Sequence, residues 1–158
     1  MLTALLLALF APPYVAPLLP LQRLPALGEC LGEVPPTSVY TIAASAQTWA
    51  SYKVIDGGIS YTIGVDREER VRFVSTSDAA FASPEGLHIG DSAAVAEKAA
   101  PGQSIRSEPG WGHFIRLPSG WYAFIDSSWI DANGYKQPNL NIGKLGADAH
   151  ITTFFMRD

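Results

Sequence analysis

The sequence predicts an α+β domain: an antiparallel sheet of two hairpins plus a C-terminal strand, packed against one or two short helices. Three observations carry this. Apolar residues recur at every second position in 59–65, and again through 112–126, with short polar bends between them. A run of small residues, Ala93 to Ala100, follows Asp91-Ser92 and is stopped by Pro101-Gly102. The chain closes on His150-Ile151-Thr152-Thr153-Phe154-Phe155-Met156, a segment of high β propensity.

The chain has 158 residues and a formal net charge of −4. One domain over 38–158 accounts for that length. Mild acidity excludes nucleic acid as the expected partner, because phosphate neutralisation needs a surplus of Lys and Arg on one face. The N-terminal stretch is of another kind. Leu2 to Ala11 is a short helical apolar run, after which Pro12, Pro13, Pro17 and Pro20 interrupt any span. That length suits a secretory signal over residues 1–28, with Ala26-Leu27-Gly28 placing small residues for cleavage before Glu29. The expected location is therefore periplasmic or secreted. The alternatives are retention as a membrane anchor and an apolar arm buried in the fold. Membrane contact is expected only through this segment, where it is not cleaved. Residues 29–37, with Pro35-Pro36, read as a linker. Cys30 is the sole cysteine, so no internal disulfide forms. Glu29 directly before it departs from a lipidation signal.

Ser38 to Ile42 alternates and reads as a strand. Ala43 to Tyr52 is Ala-rich and reads as a short helix. Lys53-Val54-Ile55 enters the turn Asp56-Gly57-Gly58. In the first hairpin Ile59, Tyr61, Ile63 and Val65 share a face, which sets Val65 opposite Val71 and Ile63 opposite Phe73. Phe81 anchors the following loop. Ser83-Pro84-Glu85-Gly86-Leu87-His88-Ile89-Gly90-Asp91-Ser92 then launches the helix, capped by Asp91 or Ser92. Gln103 to Ser107 is a strand with Ile105 inward. The second hairpin pairs Leu117 with Trp121 and Ile115 with Ala123, leaving Phe114, Arg116, Tyr122 and Phe124 on the other face. Residues 37–76 and 86–128 share an order of turn, helix, strand and hairpin, a weak internal echo.

The strand pair ending Val71-Arg72-Phe73-Val74-Ser75-Thr76-Ser77-Asp78, the Ser83 to Ser92 launch segment and Ser119-Gly120-Trp121 give 58–126 a likeness. It resembles small exported bacterial proteins of the β-lactamase-inhibitor-protein fold and the outer-membrane-assembly lipoproteins of similar shape. Ala93 and Ala96 stand where that class carries larger apolar residues. The resemblance implies export, an α+β fold and recognition of a protein or envelope partner rather than catalysis. It carries over no functional residue.

The residues themselves offer little reactive chemistry. His88, His113 and His150 lack metal-ligand spacing to one another, so no metal is expected. The glycine pairs have no Lys-Ser/Thr behind them, so no phosphate loop and no cofactor is expected. A hydrolytic arrangement of His113, Asp126 and Ser127 or Ser128 at the hairpin base is the enzymatic alternative, alongside an inhibitor-like enzyme regulator. The favoured reading is a non-catalytic protein- or ligand-binding module of the cell envelope. Its candidate residues are Trp111, Trp121, Tyr122 and Trp129, with Arg116 beside Tyr122 as a cation–π partner and His88 on the launch loop.

Overall fold

Phe155 of the C-terminal strand meets a ring from each neighbouring strand, Phe73 on one side and Tyr122 on the other, because that strand lies in the middle of the sheet. The computed structural model describes residues 24–31, 38–42, 47–108, 111–126, 139–140 and 148–158. In chain order the elements are β1 (Ser38–Ile42), β2 (Gln47–Asp56), β3 (Ile59–Val65), β4 (Val71–Thr76), α1 (Ala93–Ala99), β5 (Ile105–Glu108), β6 (Gly112–Arg116), β7 (Tyr122–Asp126), β8 (Asn139–Leu140) and β9 (His150–Arg157). The strands form one nine-stranded sheet in the order β1-β2-β3-β4-β9-β7-β6-β5-β8. All its pairings are antiparallel. The broad α+β expectation holds. Two hairpins and a last strand do not exhaust the sheet, however: β1, β2, β5 and β8 extend it at both ends.

One expectation fails outright. Ala43 to Tyr52 was expected as a helix, but Gln47–Asp56 is β2, paired with β1 on one side and β3 on the other. Ladder hydrogen bonds on both edges outweigh the modest helix preference of an Ala-rich stretch, and Thr48, Trp49 and Ser51 suit a strand. The internal echo therefore lacks its first helix among the described residues.

The first hairpin corrects a register. Val65 pairs with Val71 as expected, but Ile63 faces Val74 rather than Phe73. Gly64 faces Phe73 and Val65 faces Val71, so Arg72 is the extra residue of a β-bulge. The bulge resets the alternation. Val71 and Val74 both join the helix-side core, and Phe73 goes to the opposite face. Arg72 is held in place by Asp66 Oδ2 at 2.7 Å and by Asp158. A second slip, at Thr152 of β9, lets Ile151 and Phe154 both reach the same core.

The main core lies between the sheet and α1. Ser92 caps the helix through its hydroxyl, which accepts from the Val95 N–H at 3.4 Å. Ala93 and Ala96 are buried, so the small residues allow close approach to the strands. Ile105, Ile115, Ala123, Ile125 and Phe154 fill the sheet side of this core, and Phe81 anchors its loop as expected. The launch segment is tied to the start of β9: the Gly90 N–H donates to the Ile151 carbonyl and the Ile151 N–H to the Asp91 carbonyl, both at 2.8 Å.

Residues 24–31 also belong to the fold. The Leu24 N–H donates to Asp56 Oδ2 at 2.7 Å, the Gly28 N–H to the Val71 carbonyl at 2.7 Å, and the Val71 N–H to the Glu29 carbonyl at 2.9 Å. Leu24, Leu27 and Leu31 pack against the main core. The apolar run 2–21 and the linker residues 32–37 lie outside the described residues. No helix among the described residues is long and apolar enough to cross a membrane.

Candidate functional site

The sheet has one face under α1 and another without a helix among the described residues. Period-two alternation decides what the second face carries. From β6 it receives Phe114 and Arg116, from β7 Tyr122 and Phe124, and from β9 Thr153, Phe155 and Arg157. The bulge in β4 adds Phe73. Phe73, Phe114 and Phe155 form a second buried cluster, with Trp111, Tyr122 and Phe124 packed around it.

The rings meet in defined ways. Phe155 stacks with Tyr122 at 5.0 Å and 14° and with Trp111 at 5.5 Å and 17°. Phe114 stands edge-on to Tyr122 at 5.3 Å and to Phe155 at 5.6 Å. Such offset and edge contacts contribute about 0.5–1.5 kcal/mol each beyond area burial. They also occupy ring faces, so this cluster consolidates the sheet.

The cation over these rings is Arg157. Its guanidinium lies 4.2 Å from the Trp111 ring, 5.4 Å from Phe114 and 5.7 Å from Tyr122. Glu108 pairs with it across the sheet, and only 17% of its side chain is exposed. The expectation of Arg116 over Tyr122 is corrected. Arg116 stands directly opposite Tyr122 on the ladder but is exposed, whereas β9 delivers Arg157 over the rings from the neighbouring strand. Arg157 was legible in principle, since it follows Phe155 by two residues and must share its face.

The remaining predicted residues separate. Trp121 lies on the helix side, 7% exposed, with its ring 4.9 Å from Phe81. It packs the main core and does not meet Trp111 or Tyr122. His88 is exposed on the launch loop, where its N–H donates to Asp91 Oδ2 at 2.7 Å and its backbone bridges Ala82. Trp129, Ser127 and Ser128 lie outside the described residues. His113 is 3% exposed on β6. Alternation turns it to the helix side and turns Asp126 of β7 to the opposite face.

The β2–β4 half of the helix-free face is hydroxyl-rich. Strand pairing aligns Lys53 with Thr62, Thr62 with Ser75, Ser75 with Phe155, Phe155 with Tyr122, and Tyr122 with Arg116. This single row crosses six strands, about 24 Å at the usual interstrand spacing. A basic residue stands at each end, with hydroxyls and then aromatic rings between. Reading Ile59, Tyr61, Ile63 and Val65 as one face implies that Ser60 and Thr62 occupy the other, which is the signal sequence reasoning left unused.

Beside Thr62 and Ser75 is an open depression of about 350 Å³, with Lys53 on its β2 rim and Asp78 on the rim beyond β4. Its wall is tied together. Thr76 Oγ1 donates to the Ser60 carbonyl at 2.8 Å and accepts from the Asp78 N–H at 3.1 Å. The Ser77 and Thr153 hydroxyls bond at 2.8 Å. Asp78 accepts the Ser60 N–H at 2.9 Å and the Ala80 N–H at 3.0 Å. These donors, Ser60 first, hold its carboxyl below the ordinary aspartate value. No three His, Cys, Asp or Glu side chains among the described residues are placed to hold a metal ion. No known protein family, curated protein or solved structure matches the chain.

Proposed function

We propose that the protein is a non-catalytic binding module of the cell envelope that engages its partner with the helix-free face of the sheet. The observation that supports this is the cross-strand row from Lys53 through Thr62, Ser75, Phe155 and Tyr122 to Arg116. It sets two exposed basic side chains, two half-buried hydroxyls and the half-buried Tyr122 ring in one line on rigid strands, with Phe155 buried between them. Export rests on the apolar run 2–11 and on the resemblance of 58–126 to small exported inhibitor-like proteins. The non-catalytic half is favoured over a hydrolase because His113 and Asp126 leave the sheet on opposite faces.

Site-specific photocrosslinking in the host tests the reading. A crosslinker at Ser75 or Arg116 is expected to give one adduct, and a crosslinker at Lys98 on α1 none. Lys53→Glu with Arg116→Glu should reduce that adduct roughly tenfold, about 1.4 kcal/mol, with the melting temperature unchanged. Adducts of equal yield from both faces, or from neither, would refute it. N-terminal sequencing of the envelope fraction tests export separately.

A further inference from the structure

We infer that the strap Leu24 to Leu31 stays in the mature protein, uncut after Gly28, and that the apolar run 2–21 remains attached to it as a tether seated in a lipid bilayer beside the β2–β3 turn. The inference goes beyond the proposed function and does not depend on which face of the sheet binds.

The strap is tied at both ends of β3. At the β2–β3 turn the Leu24 N–H donates to Asp56 Oδ2 at 2.7 Å. At the β3–β4 loop the Leu31 N–H donates to the Glu69 carbonyl at 3.0 Å. Between them Pro25 is buried, and Leu24, Leu27 and Leu31 pack against the main core. The strap thus covers the core side of the sheet.

The expected cleavage bond lies inside this strap. Val71 holds both flanks of it: its carbonyl accepts the Gly28 N–H at 2.7 Å, and its N–H donates to the Glu29 carbonyl at 2.9 Å. A turn also closes across the bond, with the Glu29 N–H on the Ala26 carbonyl at 3.1 Å and the Ala26 N–H on Glu29 Oε2 at 2.9 Å. Gly28 has φ +79°, so backbone geometry accounts for the glycine without a peptidase. A cut there removes these bonds and takes Leu24, Pro25 and Leu27 off the core. In 1–28 no other two residues among Ala, Gly, Ser and Thr stand two apart. The one small-residue signal is therefore absorbed by the fold, and the run upstream of it stays on the chain.

The entry point suits a bilayer. Only Gln22 and Arg23 separate the apolar run from Leu24, and Arg23 is the first charged side chain of the sequence. Ile55, next to Asp56 at the end of β2, is 46% exposed, and Gly57 and Gly58 at the tip of the turn are exposed as well. An exposed isoleucine where a run with five leucines and Phe10 joins the domain fits an apolar medium. Arg23 then falls at the level of the headgroup phosphates. Leu2 to Ala11 is ten residues before Pro12 and Pro13. That is about 15 Å of helix against a hydrocarbon core of about 30 Å, so the run enters one leaflet and does not span.

N-terminal sequencing and intact mass of the protein from the host envelope test retention. Flotation of the full chain with vesicles of phosphatidylethanolamine and phosphatidylglycerol tests the tether. The mature chain is expected to keep residues 2–21, to stay with membranes in high salt and to leave them in detergent. Deleting 2–21 should weaken vesicle binding by more than about tenfold with the melting temperature unchanged, and Ile55→Glu should weaken it roughly threefold. A mature N-terminus downstream of Leu24 overturns the retained strap, and one between the start of the run and Leu24 overturns the tether. Release by salt alone, or a lower melting temperature on deletion (a run buried in the fold), also overturns the tether. Unchanged binding by Ile55→Glu overturns the placement of the turn against the bilayer. Crosslinking from Ser75 and Arg116 is read independently, so the tether can fail while the binding face stands.

Discussion

Gly112 opens β6 with φ +77°, and a Cβ built there would lie 2.3 Å from the Phe124 ring. Both the backbone and the ring exclude a side chain. Gly112→Ala is therefore expected to cost about 1–3 kcal/mol through strain and overpacking, read as a lower urea midpoint with an unchanged slope. Charged residues act at the same scale. Burial pushes the Glu85 carboxyl up, but donors from Ser119, its own N–H and the Ser83 hydroxyl together outweigh it and leave the group lowered. Ser119 supplies its N–H at 2.7 Å and its hydroxyl at 3.1 Å, tying the launch loop to the β6–β7 turn. Asp66 is lowered first by the Arg70 N–H, against desolvation, and then by Arg72. Folded values below unfolded values mean stability that is present above the ordinary carboxylate range and lost as pH falls through the folded values. Denaturant midpoints are expected to drop below about pH 4. Glu85→Gln should lower stability at neutral pH and flatten that acid limb; an unchanged limb would remove Glu85 from the account.

At the scale of elements, the strand pairs with clean alternation were legible and the ambiguous stretch was not. Leu117 donates its N–H to the Trp121 carbonyl at 2.7 Å, and Ile115 pairs with Ala123, as the Pro118-Ser119-Gly120 turn requires. The Ser92 cap and the Pro101-Gly102 stop bounded α1 for local reasons. In β2, composition favours a helix and ladder pairing favours a strand, and pairing is invisible along a single segment. The segment 24–31 is a further element that local pattern did not show, because its bonds run to Asp56, Glu69 and Val71. Removing residues up to Gly28 takes Leu24 and Leu27 off the core. A chain beginning at Glu29 is expected to lose about 2 kcal/mol, measured as a lower melting temperature. Equal stability would show that this strap contributes nothing.

At the scale of the molecule, β9 joins two meanders that otherwise do not pair. It lies between β4 and β7, and its Phe154 faces the main core while Phe155 faces the second cluster. Phe154→Ala is expected to cost about 3–5 kcal/mol. A chain ending before His150 would leave β4 and β7 as open edges and should aggregate, seen by light scattering; a monomeric folded product would contradict the central role of β9. The last strand must also be made before the sheet can close, so refolding is expected to be slow, in the range of milliseconds to seconds. The candidate site was legible to the same uneven degree. Tyr122 and Arg116 were assigned to one face by alternation, whereas Lys53, Thr62 and Ser75 acquire meaning only when three strands align.

By itself the sequence determined the two hairpin patterns, the helix with its cap and stop, and the apolar leader-like run, since each depends on residues near one another in the chain. Tertiary structure alone decided that Arg72 bulges, that Phe73 changes face, that β9 lies in the centre and that Arg157 rather than Arg116 covers the rings. Those outcomes depend on which strands become neighbours. A one-residue slip in pairing exchanges the two faces of a strand without altering its local pattern.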